Sequence, residues 1–508
     1  MPLCVTALLA QPSEPLTQTR LPTARSSTGN WQLFYTPYAY PHPLQSAWVS
    51  SCKTTHAASS HSRADVQAAV NKAGDDDCVT IPAGDGAETC TSPVSWTNKR
   101  IQIVGPGEAK LTITCSGTCI AVTVNRTPAR PFRVSALTFA WSGPQNIISG
   151  VSSALTVPVE GFRIDHVTFL NSNSNASHSI IFNGGIWWGL VDHVTMGNGS
   201  TGWIGVFAGA YTENDFDRTN RCAASGNLPC MGYDSWALKG LEFGSRDAIY
   251  IEDSVFNFNS RSALSAVNDM EFGARMVYRF NTCTACYYQS HSARSRNRGG
   301  NVQSEIYRNT FTGESFYRPT GPIRGGAALL FENTVFGYER NSWHVDGQRE
   351  NTSCAFSGGP LKACNGSAPQ DGNIEASGWP CVDGVGRGGV KGHTTGASQQ
   401  ASAPIRSWSN GSTATCRSGG SCDNATNITL NPVCTGLSAY IKPHSSPHSN
   451  GQWDYMNYGD GVYVVDNIGD LPVSCTPGEW AWVRNAGSWN ANGQDGLGYV
   501  CAGSQDQQ

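Results

Sequence analysis

The sequence predicts an all-β fold, a right-handed parallel β-helix, and three observations carry that prediction. A seven-residue strand pattern recurs, the composition is turn-dense, and helical periodicity is confined to one short stretch. The copies read RVSALTF (from Arg133), RIDHVTF (from Arg163), LVDHVTM (from Leu190), YIEDSVF (from Tyr250), VYRFNTC (from Val277), EIYRNTF (from Glu305) and LFENTVF (from Leu330). Successive starts are 30, 27, 60, 27, 28 and 25 residues apart. A sustained period above about twenty residues marks stacked units that bury their apolar faces only against neighbours. Each copy alternates apolar and polar positions, the signature of a short strand.

Composition agrees. The 508 residues are 39% hydrophobic and only 14% charged, and 56 glycines suit a chain of strands and turns. A net charge of −4 gives no general attraction to nucleic acid or anionic membrane, which leaves carbohydrates and proteins as polymer partners. No apolar run approaches the roughly 18–20 residues of a membrane span. Eighteen cysteines include the close pairs Cys115/Cys119, Cys222/Cys230, Cys283/Cys286, Cys354/Cys364 and Cys416/Cys422. Such spacings predict loop-clamping disulfides and a secreted or cell-surface location. Zinc at Cys283 and Cys286 lacks a second ligand pair nearby. Residues Pro2–Ala10 form a short apolar run without a basic start or clear cleavage site, so export is argued from the cysteines.

Taken in order, residues 1–60 form an irregular arm holding the aromatic, proline-rich stretch Trp31–Trp48, which is too sticky to stand bare in water. The solenoid spans residues 61–338. It opens with a capping helix over 65–73, for which Asp65 suits the N-cap. Val66, Ala69, Val70 and Ala73 make its apolar face, and Gly74 ends it. Such a helix shields the open end of the stack. Residues 211–236 read as a loop inserted into a coil, because the 60-residue interval holds one good copy. Residues 339–450 are loops rich in Gly, Ser and Cys. Residues 451–508 regain strand character, as further coils or as a small aromatic cap.

Stacking the copies in register makes columns with the inter-strand spacing of about 4.7–4.9 Å. The last column is Phe169, Met196, Phe256, Cys283, Phe311 and Phe336, an apolar inward stack. The fifth, Ser254, Asn281, Asn309 and Thr334, reads as a polar ladder inside a turn. The third brings Asp165, Asp192 and Glu252 together. Like charges this close require a cation or arginine between them, or one protonated carboxyl. One reading is a cation site, with Ca²⁺ the oxygen-preferring choice, or an acid/base pair on one outer face. The other has the carboxylates splaying into solvent and pairing with Arg163 and Arg279. His166 and His193 form the adjacent stacked pair, readable as bases or as hydrogen-bonding coil fillers.

The loop Tyr287–Gly300 gathers His291, Arg294, Arg296 and Arg298 in a mildly acidic chain, beside Tyr287 and Tyr288. Arginine forks bind carboxylates bidentately and aromatic faces stack on sugars, so these residues are candidate catalytic and substrate-binding groups for an acidic polysaccharide. A solvated basic turn held by Glu305 and Asp269 is the competing reading. Trp187, Trp188, Trp203 and Trp236 add stacking surface, part of it needed for core packing.

From Asp65 to Phe336 the chain resembles the parallel β-helix proteins of the pectate-lyase-like superfamily. The resemblance rests on a helix followed by CVTIPAG, and on IDHVTF and VDHVTM, which are similar to the WIDH strand of pectate lyases. It implies cleavage of a uronate-containing polysaccharide, often with Ca²⁺. Arg-x-Pro-x-x-Arg is missing, since Arg126-Thr-Pro-Ala-Arg130 is one residue short, and so are the paired-aspartate and Gly-His-Gly motifs of polygalacturonases. Uncharacterised bacterial β-helix proteins of this length are similar at GWPCVDGVGRG (from Gly378) and WVRNAGSW (from Trp482). They often close with a segment like NWQLFYTPYAYPHPL, which here lies at Asn30–Leu44. The displaced segment means a permuted chain or an arm that completes another subunit head to tail through residues 30–48. Two functions follow as expectations. One is an extracellular lyase on an acidic glycan. The alternative is a non-catalytic filament subunit or glycan-binding adhesin.

Overall fold

The structure, a computed structural model, describes residues 30–48, 52–84, 88–125, 128–141, 146–152, 158–170, 178–197, 203–207, 241–258, 266–270, 274–290, 301–313, 320–323, 325–338 and 343–345. Further on it describes 387–390, 400–402, 405–412, 428–430, 441–443, 453–455, 462–475, 479–491 and 496–502. The chain divides into two compact units, residues 38–460 and a smaller one made of 1–37 with 461–508.

The larger unit is a parallel β-solenoid. One ladder runs through Thr55–Ala57, Asp77–Thr80, Ile101–Val104, Arg133–Trp141, Pro158–Leu170, Ile186–Gly197, Ile249–Glu252, Arg275–Arg279, Gln303–Tyr307, Ala327–Phe331 and Arg406–Trp408, every pairing parallel. A second ladder includes Val94–Thr97, Ile120–Val124, Ile148–Ser152, His178–Asn183, Trp203–Phe207 and Asn268–Met270. The core lies between these ladders. Val134, Ile164, Val191, Ile251, Tyr278, Ile306 and Leu330 are its second-position column, and all are fully buried.

The helix is Arg63–Lys72, with Val66, Ala69 and Val70 inward. Its N-cap is Ser62, whose Oγ accepts from the Asp65 N–H at 3.2 Å, so Asp65 lies inside the first turn. The stack also begins earlier than its first readable copy, because Thr55–Ala57 pairs with Asp77–Thr80 ahead of the helix.

Leu190 pairs directly with Tyr250, so the 60-residue interval separates adjacent coils and Glu252 lies one coil from Asp192. The last copy requires a correction of one residue. Phe311 stacks on Val335, and Tyr307 on Phe331, so Glu332 belongs to the fourth position and Asn333 to the fifth. A further coil, Arg406–Trp408 followed by Gly411–Ser412, continues the stack beyond residue 338.

With that register the fifth column becomes an unbroken ladder of Ser254, Asn281, Asn309, Asn333 and Asn410. Each backbone N–H from Ser254 to Asn333 donates to the Oδ1 of the next asparagine, at 2.9–3.1 Å. Each amide nitrogen from Asn281 to Asn410 donates to a carbonyl of the preceding coil, on Ile251, Tyr278, Ile306 and Leu330. The residue before each rung has positive φ: Asp253, Phe280, Arg308, Glu332 and Ser409, like Ala136, His166 and His193 at the same bend. Left-handed backbone costs a non-glycine residue about 1–2 kcal/mol. From Asp253 onward the ladder offsets that cost by satisfying the bend's polar groups internally.

Cys115–Cys119 and Cys283–Cys286 are disulfides, as their spacing predicts, and Cys52–Cys78 and Cys475–Cys501 are longer-range bridges. The pairs Cys222/Cys230, Cys354/Cys364 and Cys416/Cys422 lie outside the described residues. Among the described residues no helix is long and apolar enough to cross a membrane.

The smaller unit is a four-stranded sheet ordered Asn30–Tyr35, Leu497–Ala502, Trp480–Val483, Val462–Val465. Asn30–Tyr35 runs antiparallel to Leu497–Ala502, with Trp31 opposite Cys501 and Leu33 opposite Tyr499. Tyr35, Trp482 and Tyr499 fill its core. Leu497–Ala502 is antiparallel to both its neighbours, although Val462–Val465 pairs parallel with Trp480–Val483, so this is an aromatic β unit and not a run of further coils. The displaced segment thus completes the C-terminal sheet of its own chain.

Candidate functional site

The third column is a charge-paired scaffold. Arg133 donates from Nε and Nη2 to Asp165, both at 2.7 Å, and Arg163 does the same to Asp192 at 2.9 and 2.7 Å. Arg279 binds Glu252 at 2.7 and 2.6 Å. All three carboxylates are fully buried. Burial raises a carboxyl's pKa, but Arg133, His166 and Arg163 together hold Asp165 well below the usual carboxylate range.

Solvent is excluded by the strap Tyr38–Trp48, which crosses these coils. Arg279 donates to the Tyr38 and Ala39 carbonyls, and Arg163 to those of Leu44 and Gln45. The His42 N–H and the Gln45 amide donate to Glu252 Oε1 at 2.9 and 2.8 Å. The Trp48 indole donates to the Gly161 carbonyl. Arg163 and Arg279 are therefore the partners of this column, but in the interior and not in solvent. Ca²⁺ takes six to eight oxygens. Asp165, Asp192 and Glu252 already spend theirs on guanidinium groups, so this donor set does not suit it. No cluster of three or more metal-ligating side chains occurs among the described residues.

His42 is buried inside the strap, where burial, Arg279 and Arg163 all push its pKa well below the ordinary imidazole value. Below about pH 6.5 the unfolded chain binds a proton that folded His42 refuses, so this contribution to stability is lost as pH falls. Acidification from pH 6.5 towards 5 is expected to lower stability through this residue. His193, whose pKa is raised, contributes with the opposite sign. Thermal midpoints of wild type and His42→Asn across that range isolate the effect, and a variant as acid-sensitive as wild type contradicts it.

The fourth column faces outward. His166 and His193 stack with ring centroids 4.7 Å apart and planes 4° from parallel. Their side chains are 50% and 41% exposed. Nδ1 of His166 lies 2.9 Å from Asp165 Oδ2, and Nδ1 of His193 2.8 Å from Asp192 Oδ2. Arginine-bound carboxylates can only accept, so each Nδ1 carries the hydrogen and Nε2 is left at the solvent side. The hydrogen bond to Asp192 raises His193's proton affinity against its partial burial, and the charges of Asp192 and Asp253 add to it. Asp253 follows in the same column, held by the Tyr40 hydroxyl at 2.6 Å and the Gln45 amide at 3.0 Å. Tyr40 stacks on Phe280, the next member, at 3.6 Å.

The aromatic candidates fare differently. Trp187 packs against Phe162 and Phe182, Trp188 is buried beside Ile186, and Tyr288 is fully buried with its hydroxyl donating to Ser304. Tyr287 belongs to the core cluster. These four therefore present no face to a sugar. Trp203 lies in the strand Trp203–Phe207, and its side chain is outside the described set. His291, Arg294, Arg296, Arg298 and Trp236 lie outside the described residues. The repeated Asp-His doublet, 27 residues apart, is the sequence signal of the pair the structure exposes, and nothing local pointed to Tyr40. Comparison with protein-family models, curated proteins and solved structures returns no match for this chain.

Proposed function

We propose that this chain is an extracellular carbohydrate-active protein of the pectate-lyase-like kind, acting on a uronate-containing polysaccharide by β-elimination. The observation that carries the reading is the stacked pair of Asp-buttressed imidazoles, Asp165–His166 and Asp192–His193, on the outer face of a rigid parallel stack. β-Elimination needs a base for the C5 proton, and imidazole is the side chain suited to that task near neutral pH. The proton passes to Nε2, the freed electron pair forms the C4–C5 double bond, and the C4–O4 bond breaks. The leaving oxygen takes a proton from water. The uronate carboxylate, which gains charge on the way, needs a cationic neighbour. An imidazolium serves at the pair itself. The arginines of 291–300 remain expectations of the sequence.

The disulfides support an oxidising compartment. Head-to-tail assembly through residues 30–48 would require Asn30–Tyr35 to leave its own sheet and Tyr38–Trp48 to surrender the bonds it makes to Glu252, Arg279 and Arg163. The test incubates the protein with pectate, alginate and glycosaminoglycans, with and without Ca²⁺, and follows the absorbance of unsaturated uronate. A rise with at least one polyuronate is expected. A flat trace across the panel sinks the lyase reading.

A further inference from the structure

We infer that the two stacked histidines divide the work, His193 serving as the cation that reads the uronate carboxylate and His166 as the neutral base. Asp253, clamped by the strap residues Tyr40 and Gln45, would be the group that fixes this assignment. The inference rests on the proposed function for its substrate and on independent geometry for the division itself.

Two imidazoles stacked face to face repel when both are charged, so the pair takes up a first proton more readily than a second. The surroundings of the two rings are unequal. His166 has Ala136 as its neighbour in the preceding coil of this column, whereas His193 has Asp253 in the following one. His193 thus lies between two carboxylates, Asp192 at its Nδ1 and Asp253 alongside. The other charged groups around the pair are Asp165, Arg133, Arg163, Glu252 and Arg279. They are paired with one another within the scaffold. Asp253 is held by the neutral donors Tyr40 and Gln45, which leave its charge in place. Among the described contacts no arginine or lysine binds Asp253, so its field acts on the neighbouring ring. The strap then has a second role beyond covering the scaffold. Through Tyr40 it sets where the carboxylate that follows His193 in the row stands, making Tyr40 and Asp253 positioning residues.

The division has a readout that needs no substrate. Diethyl pyrocarbonate acylates neutral imidazole nitrogen, and the two side chains are 50% and 41% exposed, so the change in each residue's rate between variants reports charge. Near pH 6.5, with sites mapped by mass spectrometry, Asp253→Asn is expected to speed acylation of His193. Half a pH unit of lowered proton affinity corresponds to at most about threefold. His166, relieved of repulsion when its neighbour carries less charge, should be acylated no faster than in wild type. Tyr40→Phe, which loosens Asp253 without removing it, should give a smaller change in the same direction. Melting curves on both variants show that the fold is retained. An unchanged His193 rate in both variants overturns the inference, whatever the glycan assays show. With a cleaved polyuronate in hand, His193→Gln should chiefly raise KM and His166→Gln chiefly lower kcat, and the reverse split also overturns it. A protein that cleaves no polyuronate would remove the proposed function but leave the acylation result as the test of the division.

Discussion

Arg279→Met is expected to destabilise the larger unit by about 3–5 kcal/mol, the range for removing one partner of a fully buried ion pair. Arg279 is fully buried, and its guanidinium bridges Glu252, the Tyr307 hydroxyl and the strap carbonyls of Tyr38 and Ala39. Burial opposes its charge, but Glu252 and the surrounding tyrosines hold it firmly protonated. Methionine matches much of the volume and none of the bonds, leaving the buried Glu252 carboxyl without its guanidinium partner. Arg279→Lys should rescue little, because an ammonium cannot make the forked contact and reach the strap together. Adding Glu252→Gln to Arg279→Met should recover part of the loss, as a double-mutant cycle by chemical denaturation would show. A single variant within about 0.5 kcal/mol of wild type would mean that the strap and scaffold are not coupled as described.

Asn309→Ala is expected to cost about 3 kcal/mol, since it strips the ladder at its middle. Asn309 Oδ1 accepts from the Asn281 backbone and side chain, and its amide donates to Tyr278, Tyr307 and Asn333. All of these lie in the interior, where water does not replace them. Asn309→Asp should be no better, because a carboxylate has no hydrogen to donate. Asn309→Ser should cost less, as Ser254 shows. That residue ends the ladder by donating its hydroxyl to the Glu252 carbonyl and accepting from the Val194 N–H. Thermal midpoints of the three variants rank them, and an alanine variant as stable as the serine one would contradict the ladder's role.

The repeat made the solenoid legible because each coil has to present the same inward residues to its neighbours. Ile164, Val191 and Ile251 stack as the alternation requires. The asparagine ladder was also legible, since amides at one position of successive copies can satisfy one another. The register of the last copy was not. Val335 and Phe336 are both apolar, and only the asparagine column, with Asn333 paired to Asn410, decides between them. Burial of the third column was illegible for a different reason. Its cover, Tyr38–Trp48, lies more than a hundred residues ahead of Asp165, and neither segment signals the other. The carboxylates therefore read as an outer-face cluster, either holding a cation or splayed into solvent and paired with Arg163 and Arg279, although Arg133 and Arg163 stand at the first position of the same copies. The aromatic pairs misled because adjacent bulky residues, as in Trp187–Trp188 and Tyr287–Tyr288, give no alternation to tell core from surface.

The proposed chemistry rests on the outward pair, whose two aspartates are held by arginines and whose two imidazole side chains are 50% and 41% exposed. The most direct measurement compares the initial rate of unsaturated-uronate formation by wild type and His166→Gln on the same polyuronate, with melting curves on both. A rate at least about 10²-fold lower in the variant, with the melting curve unchanged, is the predicted result. Equal rates from the two proteins would contradict the account.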